Sequence, residues 1–381
     1  MIEDPKKIVE AYRSGSLRKI LLIRISRLGD LLFTTPALRA LKACFPEAEL
    51  HFLTNAYSRD ALTANPYLKG IHLLDRKRLA WRLFRRAPVI PALRSEHFDL
   101  AIPFRMRKEY KSLFRKIGVP MLYTLQSPPE GMSESMHQAD RYLKGLEPLG
   151  VEPDALGMDV FFSSMEEAKV MRFMEEHYPA GSPRVVFHAG CHQTAKAGPA
   201  GGTMKRTWPL QHWVDLVRQV RQSLNVPPTL VGFSPGDLAY NQEIAIRSEV
   251  ACPGFRPETV GQMAALLRLS GAFVCVDTGP LHIASAAGVP TVALFGPSRP
   301  ALTGPYRNRG GAVVIQKKID CVPCKGKGIR CADNICMQQI TPQEVMAALL
   351  ERIRKPAALI RTKGSVACQG AAPLNAEDDP S

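Results

Sequence analysis

Apolar and polar positions along this chain fall into two successive sets of short, mainly apolar runs separated by amphipathic stretches. In the first set, residues 20–25, 50–53, 70–74 and 100–103 have strand length, and 31–44 carries helical periodicity. Short runs of this kind between turn signals are strands buried in a parallel sheet. Residues 137–149 and part of 161–178 read as further helices. The second set has strands at 185–188, 228–232, 272–276 and 291–295, with helices at 209–225, 240–249 and 260–269. Strands alternating with helices give βαβ units, so each set predicts its own doubly wound sheet. The proline-bounded stretch 179–183 breaks the pattern. It divides the chain into an N-terminal domain over 1–180 and a C-terminal domain over 181–345, with a helix end at 346–362. The remainder, 363–381, is rich in Gly, Ala, Pro and acid and reads as a disordered tail. Two such halves facing each other predict a ligand cleft between them.

The most informative stretch is VCVDTGPLHIASAAGVPTVALFGPSRPALTGPY, residues 274–306. A strand runs into Asp277-Thr278-Gly279-Pro280, then a helix thinned by small residues, then a second strand ending at Gly296-Pro297. A strand entering a Gly-Pro helix start leaves backbone N–H groups aimed outward at the positive end of the helix dipole. That combination suits phosphate. The competing reading makes Asp277 and Thr278 simple caps and Gly279 a simple turn. Gly190, just after the strand at 185–188, also permits close backbone approach to a phosphate. The Gly- and Ala-rich run from there to Thr203 reads as a flexible flap, either closing over that site or inert.

Composition narrows the classes of function. No run of eighteen apolar residues occurs, and the first residues lack the apolar core of a secretory signal. Both point to a cytoplasmic protein. The net charge of +15 is concentrated: thirteen Lys or Arg lie between Arg76 and Lys116, opposed only by Glu96, Asp99 and Glu109. Such a face attracts polyanions or an anionic lipid surface. The interleaved Trp81, Phe84 and Phe114 would suit docking at a membrane interface. The alternative is a solvated helical face. Cys321, Cys324, Cys331 and Cys336 fall within sixteen residues. Disulfides are not expected in the cytoplasm, so these thiols read either as a structural zinc site or as free cysteines.

Two segments carry a resemblance to a known family. DTGPLHIASAAGVPTVALFGPS resembles the donor-site motif of the heptosyltransferase-like glycosyltransferases (glycosyltransferase family 9), the ADP-heptose:lipopolysaccharide heptosyltransferases. KILLIRISRLGDLLFTTPALRALKACFPEAELHFLTN, residues 19–55, is similar to the family's amino-terminal strand–loop–helix–strand. The similarity runs from about residue 19 to about residue 345. It implies the α/β GT-B architecture, two Rossmann-like domains facing across a cleft. The last helix, at 341–354, would pack back on the first domain.

The resemblance also implies a reaction: inverting transfer of heptose, or a related sugar, from a nucleotide-diphosphate donor to the inner core of lipopolysaccharide. ADP-heptose is the expected donor. The Asp of the family's RxxxxGD pattern, here Asp30 in RISRLGD, is the implied general base; on the residues alone it is as readily a helix cap. Asp277, Thr278, Gly279, Pro280 and His282 would bind the donor. MKRTWPLQHW resembles the family's Lys-x-Trp-Pro segment, which supplies a cation to the diphosphate. Arg206 occupies the Lys position and Lys205 precedes it, so either is a candidate. Gly190 stands where the family has a small residue, although Cys191 replaces the hydroxyl that follows. Asp237 in GFSPGD stands where the family has a ribose-holding acid.

Arg27, Arg105, Arg107 and Lys108 on the basic N-terminal face would hold the phosphates and carboxylates of the acceptor. The same face would keep the enzyme at the inner surface of the inner membrane. No cofactor is expected for the transfer itself. Competing readings are a sugar-nucleotide epimerase of the same fold and a non-catalytic binder of nucleotide or polyanion. No nucleic-acid motif accompanies the basic charge.

Overall fold

The computed structural model describes residues 4–74, 89–125, 135–191, 206–324, 331 and 333–354. The first half holds strands β1 (Lys19–Ile23), β2 (Glu49–Thr54), β3 (Leu68–Leu73), β4 (Leu100–Pro103) and β5 (Met121–Leu122). Its helices are α1 (Pro5–Arg13), α2 (Leu28–Leu32), α3 (Thr35–Cys44), α4 (Ala56–Arg59), α5 (Val89–Ser95), α6 (Lys108–Ile117) and α7 (Gln138–Leu146). The strands form one parallel sheet in the order β3-β2-β1-β4-β5. The second half holds β6 (Val185–His188), β7 (Thr229–Val231), β8 (Gly254–Phe255), β9 (Ala272–Val276), β10 (Thr291–Phe295) and β11 (Ala312–Gln316). They too are all parallel, in the order β11-β10-β9-β6-β7-β8. Around them lie α8 (Ser164–His177), α9 (Leu210–Leu224), α10 (Pro235–Ser248), α11 (Val260–Arg268), α12 (Gly279–Ala287), α13 (Pro300–Thr303), α14 (Ile335–Gln338) and α15 (Pro342–Arg354). This is the expected pair of doubly wound α/β domains.

Strand order reverses between β1 and β4 in the first sheet and between β6 and β9 in the second. At such a point the flanking loops diverge and open a crevice beyond the carboxyl ends of the strands. The segments that follow β1, β4, β6 and β9 carry Asp30, Arg105, Gly190 and Thr278 respectively, so topology alone places these residues at the two crevices.

Three features differ from the sequence reading. The helix expected over 31–44 is two helices, α2 and α3. The Thr34 and Thr35 hydroxyls donate to the Leu31 and Leu32 carbonyls at 2.6 and 2.8 Å, and Pro36 has no N–H to continue the first helix. The final helix, over its described residues, packs on its own domain: α15 lies on α9 and on β9 and β10. Its Val345, Met346 and Leu349 share a core with Trp208 and Trp213. The third difference is α8, which the sequence placed in the first domain. It packs on α11, and Phe173 stacks at a tilt against Phe255 of the second sheet, 4.8 Å between centroids. Tyr178, just after it, donates its hydroxyl to the Pro227 carbonyl at 3.0 Å.

The segment that leads into α8 is tied to the first domain by Arg39 of α3. Its buried guanidinium grips Asp154 with two hydrogen bonds, 2.6 and 2.8 Å, and also pairs with Asp159 and the Gly157 carbonyl. Burial pushes the Asp159 carboxyl up to about 6, against the pull of Arg39. Removing one partner of a buried pair strands the other charge. We therefore expect Arg39→Ala to lower unfolding stability by about 3–5 kcal/mol in chemical denaturation. Arg39→Lys, which loses the bidentate grip but keeps the charge, should fall between it and wild type.

Candidate active site

Asp30 lies in the first turn of α2, directly beyond β1. Its carboxylate is partly exposed and sits 3.4 Å from the Arg24 guanidinium. Arg24 ends the apolar run of β1 and is buried, with Nε unpartnered among the described residues. Its guanidinium lies 5.9 Å from the centre of the Tyr142 ring. Burial raises the Tyr142 phenol, and Arg24, Asp30 and Arg105 all act on it electrostatically. One carboxylate, two guanidiniums and a phenol thus meet at the crevice of the first sheet.

The second sheet presents α12 to the same place. Thr278 precedes this helix in extended conformation, and its side chain does not cap it. Instead the hydroxyl donates to the Val276 carbonyl at 3.2 Å and lies 3.5 Å from His188 Nδ1. The amino end of α12 is thereby left to an anion from outside the helix. Asp277 is buried, accepts a 2.6 Å hydrogen bond from Ser298, and lies 3.4 Å from Arg206. Arg206 also reaches the Asp277 carbonyl, while about two fifths of its side chain remains exposed. A guanidinium anchored at one end and open at the other can serve a diphosphate with its remaining N–H groups.

The two halves meet at these points. A Cβ on Gly29 would fall 2.2 Å from His282 Cδ2, so only glycine lets α2 lie against the first turn of α12. A Cβ on Gly279 would already touch Leu28 at 3.4 Å. Phe33 sets its ring edgewise to His282 and to His137, 4.7 and 5.0 Å between centroids. His137 stacks on Tyr306 at 4.6 Å. The His137 tautomer follows from its partners: Nδ1 accepts from the Ala139 N–H at 3.1 Å, so Nε2 carries the proton and donates to the Gly304 carbonyl at 3.2 Å. Tyr306 donates to Asp140 at 2.6 Å, and Arg307 pairs with the same carboxylate at 3.1 Å. The Val260 N–H donates to Asp60 across the same divide.

His282 is fully enclosed here. Burial drives its imidazole down to about 4, helped by His137 and opposed by Asp277. It is neutral near pH 7, and its Nδ1 has no hydrogen-bond partner among the described residues. His188 and His137 are lowered as well, first by burial.

The sequence reading named most, but not all, of this cluster. Asp30, Asp277, Thr278, Gly279, Pro280, His282 and Arg206 are brought to one region. Lys205 and the flap expected up to Thr203 lie outside the described residues. Gly190 stands where a Cβ would be 2.2 Å from the Asp237 carboxylate. Asp237 itself is buried and caps its own helix: Oδ2 accepts from the Ser234 and Phe233 N–H groups while its N–H donates to Ser234. Arg24, His137, Tyr306 and Ser298 were not singled out. Arg24 opens the RISRLGD motif and Ser298 closes FGPS, so both were within quoted segments; His137 and Tyr306 become visible only through packing.

Arg27 and Arg105 are exposed beyond β1 and β4, Lys108 is exposed at the start of α6, and Arg107 precedes it half-buried. Arg76, Lys77, Arg78, Arg82, Arg85 and Arg86, with Trp81 and Phe84, lie outside the described residues. Phe114 is buried in the core beneath α6, which removes it as a membrane-docking aromatic. No helix among the described residues is long and apolar enough to cross a membrane. Of the four clustered cysteines, Cys336 is near enough to Cys321 and Cys331 for both to help burial raise its thiol. Cys321 is exposed, Cys336 is buried, and the Asn334 N–H donates to Cys331 Sγ.

Known proteins share this architecture. The family described as glycosyltransferase family 9 (heptosyltransferase) matches residues 166–332. Lipooligosaccharide heptosyltransferase 2 of Campylobacter jejuni is 23% identical over 335 residues, covering 86% of this chain and 96% of that protein. The family 9 glycosyltransferase of Veillonella parvula superposes with a TM-score of 0.73 at 20% identity, over 89% of this chain and 97% of the other. The ADP-heptose lipopolysaccharide heptosyltransferase II of Escherichia coli gives 0.68 at 22% identity, over 88% and 99%.

The His282 environment fixes a pH dependence. Its folded pKa of about 4 lies below the ordinary 6.5, so folding favours the neutral ring. That stability is present above pH 6.5 and is lost as pH falls toward 4, by at most about 3 kcal/mol. Unfolding free energies measured across this range should therefore fall less steeply in His282→Asn than in wild type. Equal slopes would remove His282 as the source.

Proposed function

The chain belongs to glycosyltransferase family 9, and from that premise we propose that it moves a heptose from ADP-heptose to the inner core of lipopolysaccharide, with inversion at the anomeric carbon. Asp30 is the general base. It takes the proton of an acceptor hydroxyl as that oxygen attacks the anomeric carbon, the bond to the diphosphate breaks, and ADP leaves from the opposite face. The amino end of α12, with Thr278 and Gly279, holds the diphosphate and stabilises the charge that develops on it. Arg206 adds a cation to that anchor, and Lys205 remains a second candidate for it. His282, neutral and wedged against Gly29, sets the distance between the base loop and the donor anchor.

The observation that carries this reading is the meeting of the two crevices, with the Asp30 turn seated directly on the helix start that suits a diphosphate. Arg24 keeps a positive charge 3.4 Å from Asp30 at the mouth of the first crevice. Arg27, Arg105, Arg107 and Lys108 surround the same opening with positive charge. They fit an acceptor carrying phosphates and carboxylates, and they would hold the enzyme against anionic lipid on the inner face of the inner membrane. The transfer asks for no cofactor in this scheme.

Incubating the protein with ADP-heptose and a heptose-deficient lipopolysaccharide core should add one heptose mass to the acceptor. Asp30→Asn should bind ADP as wild type does and turn over about 10²–10⁴ times more slowly. Undiminished turnover in that variant would overturn the assignment of the base. Absence of any mass gain with wild type would overturn the donor and acceptor together.

A further inference from the structure

On the outer edge of the first sheet, away from the crevice, three ligand-bearing side chains converge. They are His51 of β2, His72 of β3 and Glu96, which follows α5. One ligand atom of each lies within 4.8 Å of the others, the only such set among the described residues. The backbone register creates the pair of imidazoles. His51 lies opposite Gly70 and Leu53 opposite His72, so His51 and His72 are diagonal neighbours on one face of the sheet. A Cβ on Gly70 would stand 2.7 Å from His51 Nδ1. The glycine therefore lets the His51 ring lie over β3 and reach His72.

The rings are stacked, with His51 Nδ1 3.2 Å from His72 Nε2. Two imidazole nitrogens bound at zinc distances in a tetrahedral site stand about 3.3–3.4 Å apart. Phe98 braces both rings edge-on and fixes their orientation. His51 is only 4% exposed, and its Nε2 has no hydrogen-bond partner among the described residues. A carboxylate oxygen of Glu49 lies 3.8 Å from that nitrogen. A carboxylate behind the far nitrogen of a ligating histidine is the usual outer partner in zinc sites, because it holds the proton there and leaves the near nitrogen free. Lys19 presently spans both acids, 3.1 Å from Glu96 and 3.8 Å from Glu49.

The geometry points to a divalent metal site of the zinc class formed by His51 Nδ1, His72 Nε2 and the Glu96 carboxylate, with Glu49 as the outer partner of His51. The ion takes the place of the proton between the two facing nitrogens; that proton passes by way of solvent to His72 Nδ1 while His51 keeps its own on Nε2, so both rings ligate as neutral imidazoles. Lys19 gives up Glu96 when the ion binds. The ligands tie β2, the edge strand β3 and the segment after α5 together, so the site braces the sheet edge and takes no part in sugar transfer. It stands independently of the proposed reaction.

The test uses the full chain stripped of metal by a chelator, then titrated with Zn²⁺ and Co²⁺ against a chromophoric competitor. Wild type should bind one more equivalent than either His72→Gln or Glu96→Gln, and Zn²⁺ should raise its thermal midpoint more than theirs. Any ion held by the cysteines is identified separately by the thiolate charge-transfer band of Co²⁺, which these substitutions should leave unchanged. Glu96 lies at the surface, so its variant keeps the test valid if His72→Gln fails to fold. Equal stoichiometry in wild type and Glu96→Gln, or binding accompanied only by the thiolate band, would overturn the site.

Discussion

The contact between Gly29 and His282 is the constraint on which the rest of this architecture depends. A sheet edge can offer a carboxylate or a helix start, but acyl or glycosyl chemistry needs the two at a fixed separation. Here that separation is set by van der Waals contact between a glycine and an imidazole ring. The ring cannot yield cheaply, because Phe33 presses on it edgewise and no solvent surrounds it. Burial also keeps it uncharged, which removes the repulsion that a cation would add beside Arg206. Packing and electrostatics therefore point the same way. The two crevices are held in register by a single small residue and the neutral side chain it admits.

A second set of contacts surrounds this one. His137, Tyr306, Asp140 and Arg307 connect α7 to the loop after α13, and the stacked His137–Tyr306 pair sits beside Phe33. Arg307 donates to the Asp154 carbonyl, and Asp154 is held by Arg39. One polar chain thus runs from the second half, through the connecting segment, to α3 of the first half. Each member is satisfied by the next, which is the condition under which partly buried charges support a structure.

Much of this was legible in the sequence, and the misses have physical causes. Strands β4, β6, β9 and β10 fall where the apolar runs place them, because a parallel strand buried on both faces has a continuous apolar signature. The short edge strands β5, β8 and β11 escaped, since half-buried or two-residue strands carry little pattern. The division between α2 and α3 depends on two threonine hydroxyls turning back on carbonyls, a local competition that apolar periodicity does not register. The placement of α15 on its own domain depends on Trp208 and Trp213, far away in sequence. At the site, Asp30 and the Thr278–Gly279 turn were readable because a tight turn needs glycine and an exposed helix start. Asp237 caps its own helix, a duty that its place three residues into that helix carries in the sequence as readily as a ligand role. His137 and Tyr306 had no signal at all, since their importance comes from whom they stack upon.

The measurement closest to the central claim is steady-state transfer and ADP binding by Gly29→Ala. The added methyl must displace the His282 ring while Asp30, Thr278 and Arg206 all remain. A folded variant should bind ADP nearly as wild type does and lose about a hundredfold in kcat, as a misplacement of about an ångström would produce. A folded Gly29→Ala enzyme with wild-type kcat would contradict the account, because the base and the donor anchor would then owe nothing to that contact.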